Sequence, residues 1–429
     1  MDSSKINHNL KKEESGMNMN ENNCEALLQF KRQLSDILSP YDTDAQMMKW
    51  LRARNYDLEK AAALFREFYF CRKLFEIDTI VTTYKKPEVF IKYEYNGFLG
   101  IAKDRTPIRY IAMGRGDNRG FVKSLDSLSL CTYLCYMLQL DILQAREESE
   151  RIGREINDVT YIFDMEGFLI QDYLNKTVLE TSLDLGRLVQ DYYPEIWNNI
   201  FFVNAPTYFY RLYNLLKPIL RGPLLQKVQV VSKEATPEIL LKYVDEDVLP
   251  EFLGGKRRDS KGNPMCIEFL RFGGQIPEDY YLSNHVTLSL SDPSALSVVI
   301  GARSYFNYPV VVPKPGSIIS IEFRTEEGNI FFKIMYRKVG QNPEICDLSL
   351  SNENLIAKDE QCEVQLSSPE LQMQCHISPV DYKFKAPWSS VYIFKFDNTS
   401  SWFTSKRLIY RIKLIESDFE SSDILEKKQ

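Results

Sequence analysis

Two carboxylates, Asp164 and Glu166, stand two positions apart at the end of an apolar run. On an extended chain they point to one side. Such a pair suits acid–base work or a metal ion. The alternative is a turn whose carboxylates accept from backbone N–H groups. A glycine-rich stretch, Gly114-Arg115-Gly116-Asp117-Asn118-Arg119-Gly120, follows another apolar run. It invites a phosphate-loop reading, but its spacing fits neither GxGxxG nor GxxxxGK followed by Ser or Thr. A charged loop is the expectation, with its Arg-Gly-Asp a coincidence. The three histidines are His8, His285 and His376, so none lies between residues 9 and 284. A His-based triad in that central region is excluded, and zinc catalysis there is not expected. No G-x-S-x-G elbow occurs. The eight cysteines form no CxxC pair, and Cys131 and Cys135, one helical turn apart, read as a buried helix face. The expectation is a protein that is not an enzyme and needs no metal or cofactor.

The most telling segment runs from Tyr192 to Gly255. A short apolar strand (Ile200, Phe201, Phe202, Val203) stops at Asn204-Ala205-Pro206. A helical stripe follows, with Phe209, Leu212, Leu216 and Leu220 three or four positions apart. Pro218 interrupts it by removing a backbone donor. This pattern fits either the movable wall of an apolar pocket or a kinked core helix.

The 429 residues imply two or three domains. A hydrophobic content of 44% supports substantial cores, and the net charge of −6 argues against a chain-wide nucleic-acid footprint. The N-terminus lacks an apolar signal region, and no apolar stretch is long enough to span a bilayer. Together with the cysteine usage, these features predict a reduced, cytoplasmic protein. The sequons at Asn175 and Asn398 are then read as silent.

Residues 1–25 read as a disordered tail. Residues 26–80 read as a helical lobe, with cap residues at Asp42-Thr43-Asp44 and Asp57. From Pro107, the runs Ile108–Met113, Val159–Phe163, Ile200–Val203 and Val228–Val231 alternate with helical stretches near Leu125–Arg146 and Leu169–Tyr192. That alternation predicts an α/β unit with a mostly parallel sheet, assigned to residues 81–258. Lys256-Arg257-Arg258 opens a charged connector, read either as a solvated linker or as a contact for anionic lipid. Residues 259–416 hold the connector and an antiparallel β-sandwich, and 417–429 a second tail. Ile319, Ile321 and Phe323 alternate, as do Ile330, Phe332, Ile334 and Tyr336, with Glu327-Gly328-Asn329 as the turn between them. Tyr392, Phe394, Phe396, then Leu408, Tyr410, Ile412 and Leu414 repeat the pattern.

The YYPE of Tyr192–Glu195, the Asn204-Ala205-Pro206 turn, Leu216-Lys217-Pro218, and the Leu-Pro…Gly-Gly of Leu249–Gly255 occur in one order. With the upstream LRARNYD of Leu51–Asp57, this order resembles the CRAL-TRIO family of lipid-binding and lipid-exchange proteins. The C-terminal part, ending YIFKFDNTSSWFTSKRLIYRIKL, resembles a GOLD domain. The pairing is similar to two-domain carriers of the supernatant protein factor and tocopherol-associated type.

The resemblance implies an apolar cavity beside the sheet, closed by a hinged gate helix. Cavity and gate would draw on Phe163, Phe201, Val203, Phe209, Leu212, Leu216 and Leu220. In phosphatidylinositol-exchanging relatives, the Glu of YYPE and a Lys ten residues beyond the Lys-Pro Lys are associated with the inositol lipid. Here they are Glu195 and Lys227. A carboxylate and an ammonium there would order the gate or hold a polar head, because a charged head group in a low-dielectric site needs a partner. Two departures stand against a specific head-group site. Asn55 replaces the basic residue after LRAR, and Leu169 and Gln171 fall where those relatives carry hydroxyls. The implied ligand is a phosphoinositide, a sterol precursor or a tocopherol-like lipid, exchanged in transient, peripheral membrane contact. The alternative is a trafficking adaptor or lipid sensor whose GOLD domain recruits a protein, with Trp402-Phe403 either presented outward or packed on the sandwich.

Overall fold

The computed structural model of the chain describes residues 21–39, 42–217, 222–286, 288–337 and 366–415. Two units divide after Arg66. The first holds helices α1 (Glu21–Gln33) and α2 (Asp44–Ala53) and the start of α3 (Leu58–Leu74). Caps set these boundaries. Thr43 Oγ1 accepts from the Gln46 N–H at 3.3 Å, and Asp57 Oδ1 from the Lys60 N–H at 3.1 Å. Phe65 meets Phe30 and Trp50 edge-on at 6.2 and 5.2 Å, a geometry that pairs ring edge with ring face.

The second unit holds the rest of α3, a short turn of helix at Ile80–Thr83, α4 (Glu88–Tyr93) and a five-stranded sheet: β1 (Asn96–Ile101), β2 (Pro107–Ile111), β3 (Val159–Asp164), β4 (Trp197–Val203) and β5 (Val228–Val230). Spatial order follows chain order; β1 is antiparallel to β2 and the other neighbours are parallel. The crossovers carry α5 (Asn118–Ser124) and α6 (Ser127–Ile152), then α7 (Lys176–Tyr192), then α8 (Thr207–Leu216). Helix α9 (Thr236–Tyr243) follows β5.

Sheet and crossover helices agree with the alternation in the sequence, except at β1. Its Asn-Gly-Phe-Leu-Gly-Ile run carries too little continuous apolar character to announce a strand. Gly97 is required there, because a Cβ would lie 2.3 Å from the Phe269 carbonyl oxygen. Helix α6 starts where expected, since Asp126 accepts from the Leu128 and Ser129 N–H groups at 2.9 and 3.1 Å. It runs on to Gly153, whose φ of 67° ends it in a left-handed cap. Helix α7 starts later than its apolar pattern suggests, because Asn175 caps it by accepting from the Val178 N–H at 3.2 Å.

The sheet has two unlike faces. Ile108, Tyr110, Ile162, Phe201 and Val203 pack with Leu240 of α9 and Val244 just after it in a closed core. Arg109, Ile111, Tyr161 and Phe163 point the other way, towards α6.

C-terminal to the sheet lie two antiparallel sheets. One is ordered β12 (Val380–Lys385), β8 (Ile318–Thr325), β14 (Lys406–Ile415), β6 (Leu296–Ile300). The other is ordered β10 (Leu366–Ser367), β9 (Ile330–Arg337), β13 (Ser390–Asp397), β7 (Tyr305–Val312), with β11 (Leu371–Met373) also on β9. The turn at Glu327-Gly328-Asn329 is present, but it does not close a hairpin. Strand β8 pairs with β12 and β14, while β9 lies in the other sheet. Both strands aim an apolar row into one interior, so Phe323 and Phe332 meet between the sheets at 5.0 Å.

Candidate functional site

A cavity of about 250 Å³ lies on the α6 face of the sheet. Ile111, Met113 and Phe163 line it from the sheet side. Helix α6 contributes Leu130, Tyr133, Leu134 and Met137, and α7 contributes Val178, Thr181, Ser182 and Leu185. Each set is one helical stripe, spaced three and four apart. Phe90 of α4 and Phe121 of α5 also line the space, and Phe90 stacks on Tyr133 at 3.6 Å.

Polar groups gather at one side of this apolar space. Glu94 Oε2 accepts from Lys86 Nζ at 2.7 Å and from the Tyr133 hydroxyl at 3.1 Å. The Tyr133 oxygen accepts from Asn96 Nδ2 at 2.8 Å, and Asn96 Oδ1 from Arg109 at 3.2 Å. Arg109 Nε donates to Asp141 at 2.8 Å, and the Tyr161 hydroxyl also donates to Asp141. Arg109 and Asp141 are 5% and 1% exposed, so each charge depends on the other. Burial, reinforced by Glu94, pushes the Tyr133 phenol well above its usual range and keeps it a neutral donor.

The residues named from the sequence divide between this cavity and other places. Phe163 lines it. Phe201 and Val203 do not: both lie in the closed core against α9, because period-two alternation sends them to the opposite face from Phe202. Phe209 and Leu212 sit on α8 and pack with Phe168, Ala205 and Phe202, over β4 and β5. Phe209 meets Phe202 at 5.2 Å and Phe168 at 5.4 Å. The Leu216 side chain, Pro218 and Leu220 lie outside the described residues. Glu195 is half-buried, with a left-handed φ of 55°. Lys227 donates to the Trp197 carbonyl at 2.5 Å. The two residues precede β4 and β5, which brings them to the same edge of the sheet, and neither lines the cavity.

The remaining motifs take structural roles. Asp164 Oδ1 accepts from the Glu166 N–H at 3.0 Å and Asn204 Nδ2 at 2.8 Å, and Oδ2 from the Tyr110 hydroxyl at 2.7 Å. Glu166 pairs with Lys233 at 3.0 Å. Asp117 caps α5 by accepting from the Gly120 N–H at 2.8 Å and ties in the Ile276 N–H at 3.0 Å. In the connector Lys256 and Arg258 stay exposed and pair with Glu246 at 2.6 Å and Glu251 at 2.5 Å, while the Arg257 guanidinium lies over Phe269. Burial raises the Cys135 thiol to about 12, which keeps it unreactive. Phe403 is 96% exposed, and Trp402, 69% exposed, meets its own sandwich through the Arg303 guanidinium, 4.5 Å from its ring centroid. Their loop is anchored by Asn398, whose Nδ2 donates to the Gly301 and Thr404 carbonyls at 3.0 and 2.9 Å.

Sequence reasoning missed the α6 and α7 stripes, which read equally well as solid core, and the polar group at Glu94, Asn96 and Tyr133. Leu130-x-x-Tyr133-Leu134-x-x-Met137 was the available signal, a phenol set inside an apolar face.

Residues 91–255 match the model of the CRAL/TRIO domain, a span that takes in all five strands of the sheet. Protein ctg-1 of Caenorhabditis elegans is 25% identical over 386 residues, covering 89% of this chain and 95% of that protein. A solved structure described as the crystal structure of Sfh5 matches with a TM-score of 0.48 at 15% identity, over 62% of this chain and 96% of that one. CRAL/TRIO domains bind hydrophobic lipids, which sets lipid binding as the function of this domain class. Among the described residues, no helix is long and apolar enough to cross a membrane.

Proposed function

We propose that the chain is a non-enzymatic lipid carrier that holds one hydrophobic lipid in the α/β cavity and exchanges it at membranes. The observation that carries this reading is the apolar space between the sheet and the α6 and α7 stripes, inside the residues that match the CRAL/TRIO domain. A lipid crosses water slowly because each exposed CH₂ costs about 0.8 kcal/mol, so about 15 carbons amount to roughly 12 kcal/mol. A cavity that opens only at a bilayer removes that barrier. At about 250 Å³ the space is smaller than the ~300–1,000 Å³ of ordinary ligand pockets, so loading requires a wall to move. Helix α8 is the proposed gate, with Phe209 and Leu212 on its inner side.

The sandwich, read as a GOLD domain, supplies the membrane contact through Trp402 and Phe403, two rings on an anchored loop that suit the bilayer interface. A second reading, a sensor that reports occupancy to a protein partner, is favoured by one contact. Glu180 of α7, the helix that lines the cavity through Thr181, accepts from Gln374 of the sandwich at 2.9 Å.

The test is transfer of a labelled lipid between vesicles by the full chain. Transfer is expected with the natural sequence and is lost in Leu216→Asp, which puts a charge on the gate. Equal transfer by both proteins would remove α8 from the mechanism. Unchanged transfer of phosphatidylinositol by Lys227→Ala would remove that lysine from head-group binding.

A further inference from the structure

We propose that Glu94, Asn96 and Tyr133 form a polar subsite selecting a neutral lipid that ends in a hydroxyl, an alcohol or phenol, over a phosphorylated one. This rests on the cavity being the lipid site.

All three residues line the cavity, and Glu94 and Asn96 both bond the Tyr133 hydroxyl, at 3.1 and 2.8 Å. One group is thus within reach of both. Glu94 Oε2 is taken by Lys86 and Tyr133, while Oε1 has no partner among the described residues. Asn96 Nδ2 spends one hydrogen on Tyr133, and its second has none among the described residues. The subsite therefore offers one acceptor and one donor. An O–H group has the complementary pair, a donor and an acceptor. A phosphate brings acceptors and negative charge, and it would face the Glu94 carboxylate with no Lys or Arg among the lining residues to offset it. The nearby cations, Lys86 and Arg109, are held by Glu94 and Asp141. Apart from Asn118, Thr181 and Ser182, the rest of the lining is aromatic and aliphatic, which suits a hydrocarbon body.

The experiment uses the full, delipidated chain and a neutral naphthylamine dye that brightens in apolar sites. Hexadecanol, hexadecyl methyl ether and a short-chain phosphatidylinositol each compete for the dye. The ether keeps the body and loses the donor, so hexadecanol is expected to compete at least about tenfold better. It should also outcompete the phosphatidylinositol. In Lys86→Met/Glu94→Leu, which leaves no unpaired charge, the alcohol-to-ether preference is expected to fall to about one while the dye still binds. Equal competition by alcohol and ether in the natural chain overturns the subsite, as does tighter binding of the phosphatidylinositol or a preference that survives in the variant. If neither dye nor any lipid binds, the lipid-site reading itself fails and takes this inference with it. The natural chain alone decides the matter if the variant does not fold.

Discussion

The two faces of the five-stranded sheet are made from the same strands and end in opposite ways. Towards α9, Phe201, Val203, Ile162 and Leu240 are fully buried in a closed core. Towards α6 and α7, Phe163 and Met113 border a void, and a buried ion pair and two phenols occupy space that aliphatic side chains would fill more cheaply. Close packing is the default of protein interiors. A face that keeps both a void and a charge pair has a use other than stability, and the closed face is what holds it in shape.

Breaking the charge pair should have the largest effect. Arg109→Ala leaves Asp141 buried without its partner and is expected to cost about 3–5 kcal/mol, measured by denaturant unfolding. Arg109→Met combined with Asp141→Leu should recover most of that loss. On the closed face, Phe201→Ala is expected to cost about 3–5 kcal/mol, whereas Phe163→Ala, beside an existing void, should cost less than half as much. Equal losses would mean that the two faces do not differ as described.

A subtler difference lies at the start of α6. Burial lifts the Asp126 carboxyl from 3.8 to about 6, against its bonds to Ser129 and Leu128. The folded state thus binds that proton more tightly than the unfolded chain does. Its contribution to stability is fully present below pH ~4 and is lost as pH rises through about 6. Asparagine caps equally well without charge. Asp126→Asn should therefore flatten the stability profile between those limits, and an unchanged profile would contradict the assignment. The smallest effect on stability is expected at the sandwich tip. Trp402→Ser with Phe403→Ser should change unfolding by no more than about 0.5 kcal/mol, yet reduce co-sedimentation with vesicles.

Strands and sandwich were legible in the sequence because apolar runs and period-two rows are local signals, as at Val159–Phe163 and Ile330–Tyr336. What pairs with what was less so. Period-two rows on both sides of Glu327–Asn329 do not say whether the strands share a sheet, and here they do not. In β4 a continuous apolar run hides which face each residue takes, so the run does not say that Phe201 lies on the closed face. The site was the least legible part. Glu94 follows α4, Asn96, Arg109 and Tyr161 lie on β1, β2 and β3, and Tyr133 and Asp141 share α6, so sequence spacing alone does not bring the six together. A helical stripe such as Val178, Thr181, Ser182 and Leu185 looks the same whether it covers a core or a void.

The direct test of the cavity's purpose is mass spectrometry of the purified full chain under native conditions, followed by organic extraction. One lipid per chain, lost when Leu134 on α6 is replaced by Trp to fill the void, is the expected result. A folded chain that carries no lipid, and takes none up from vesicles, would contradict the account.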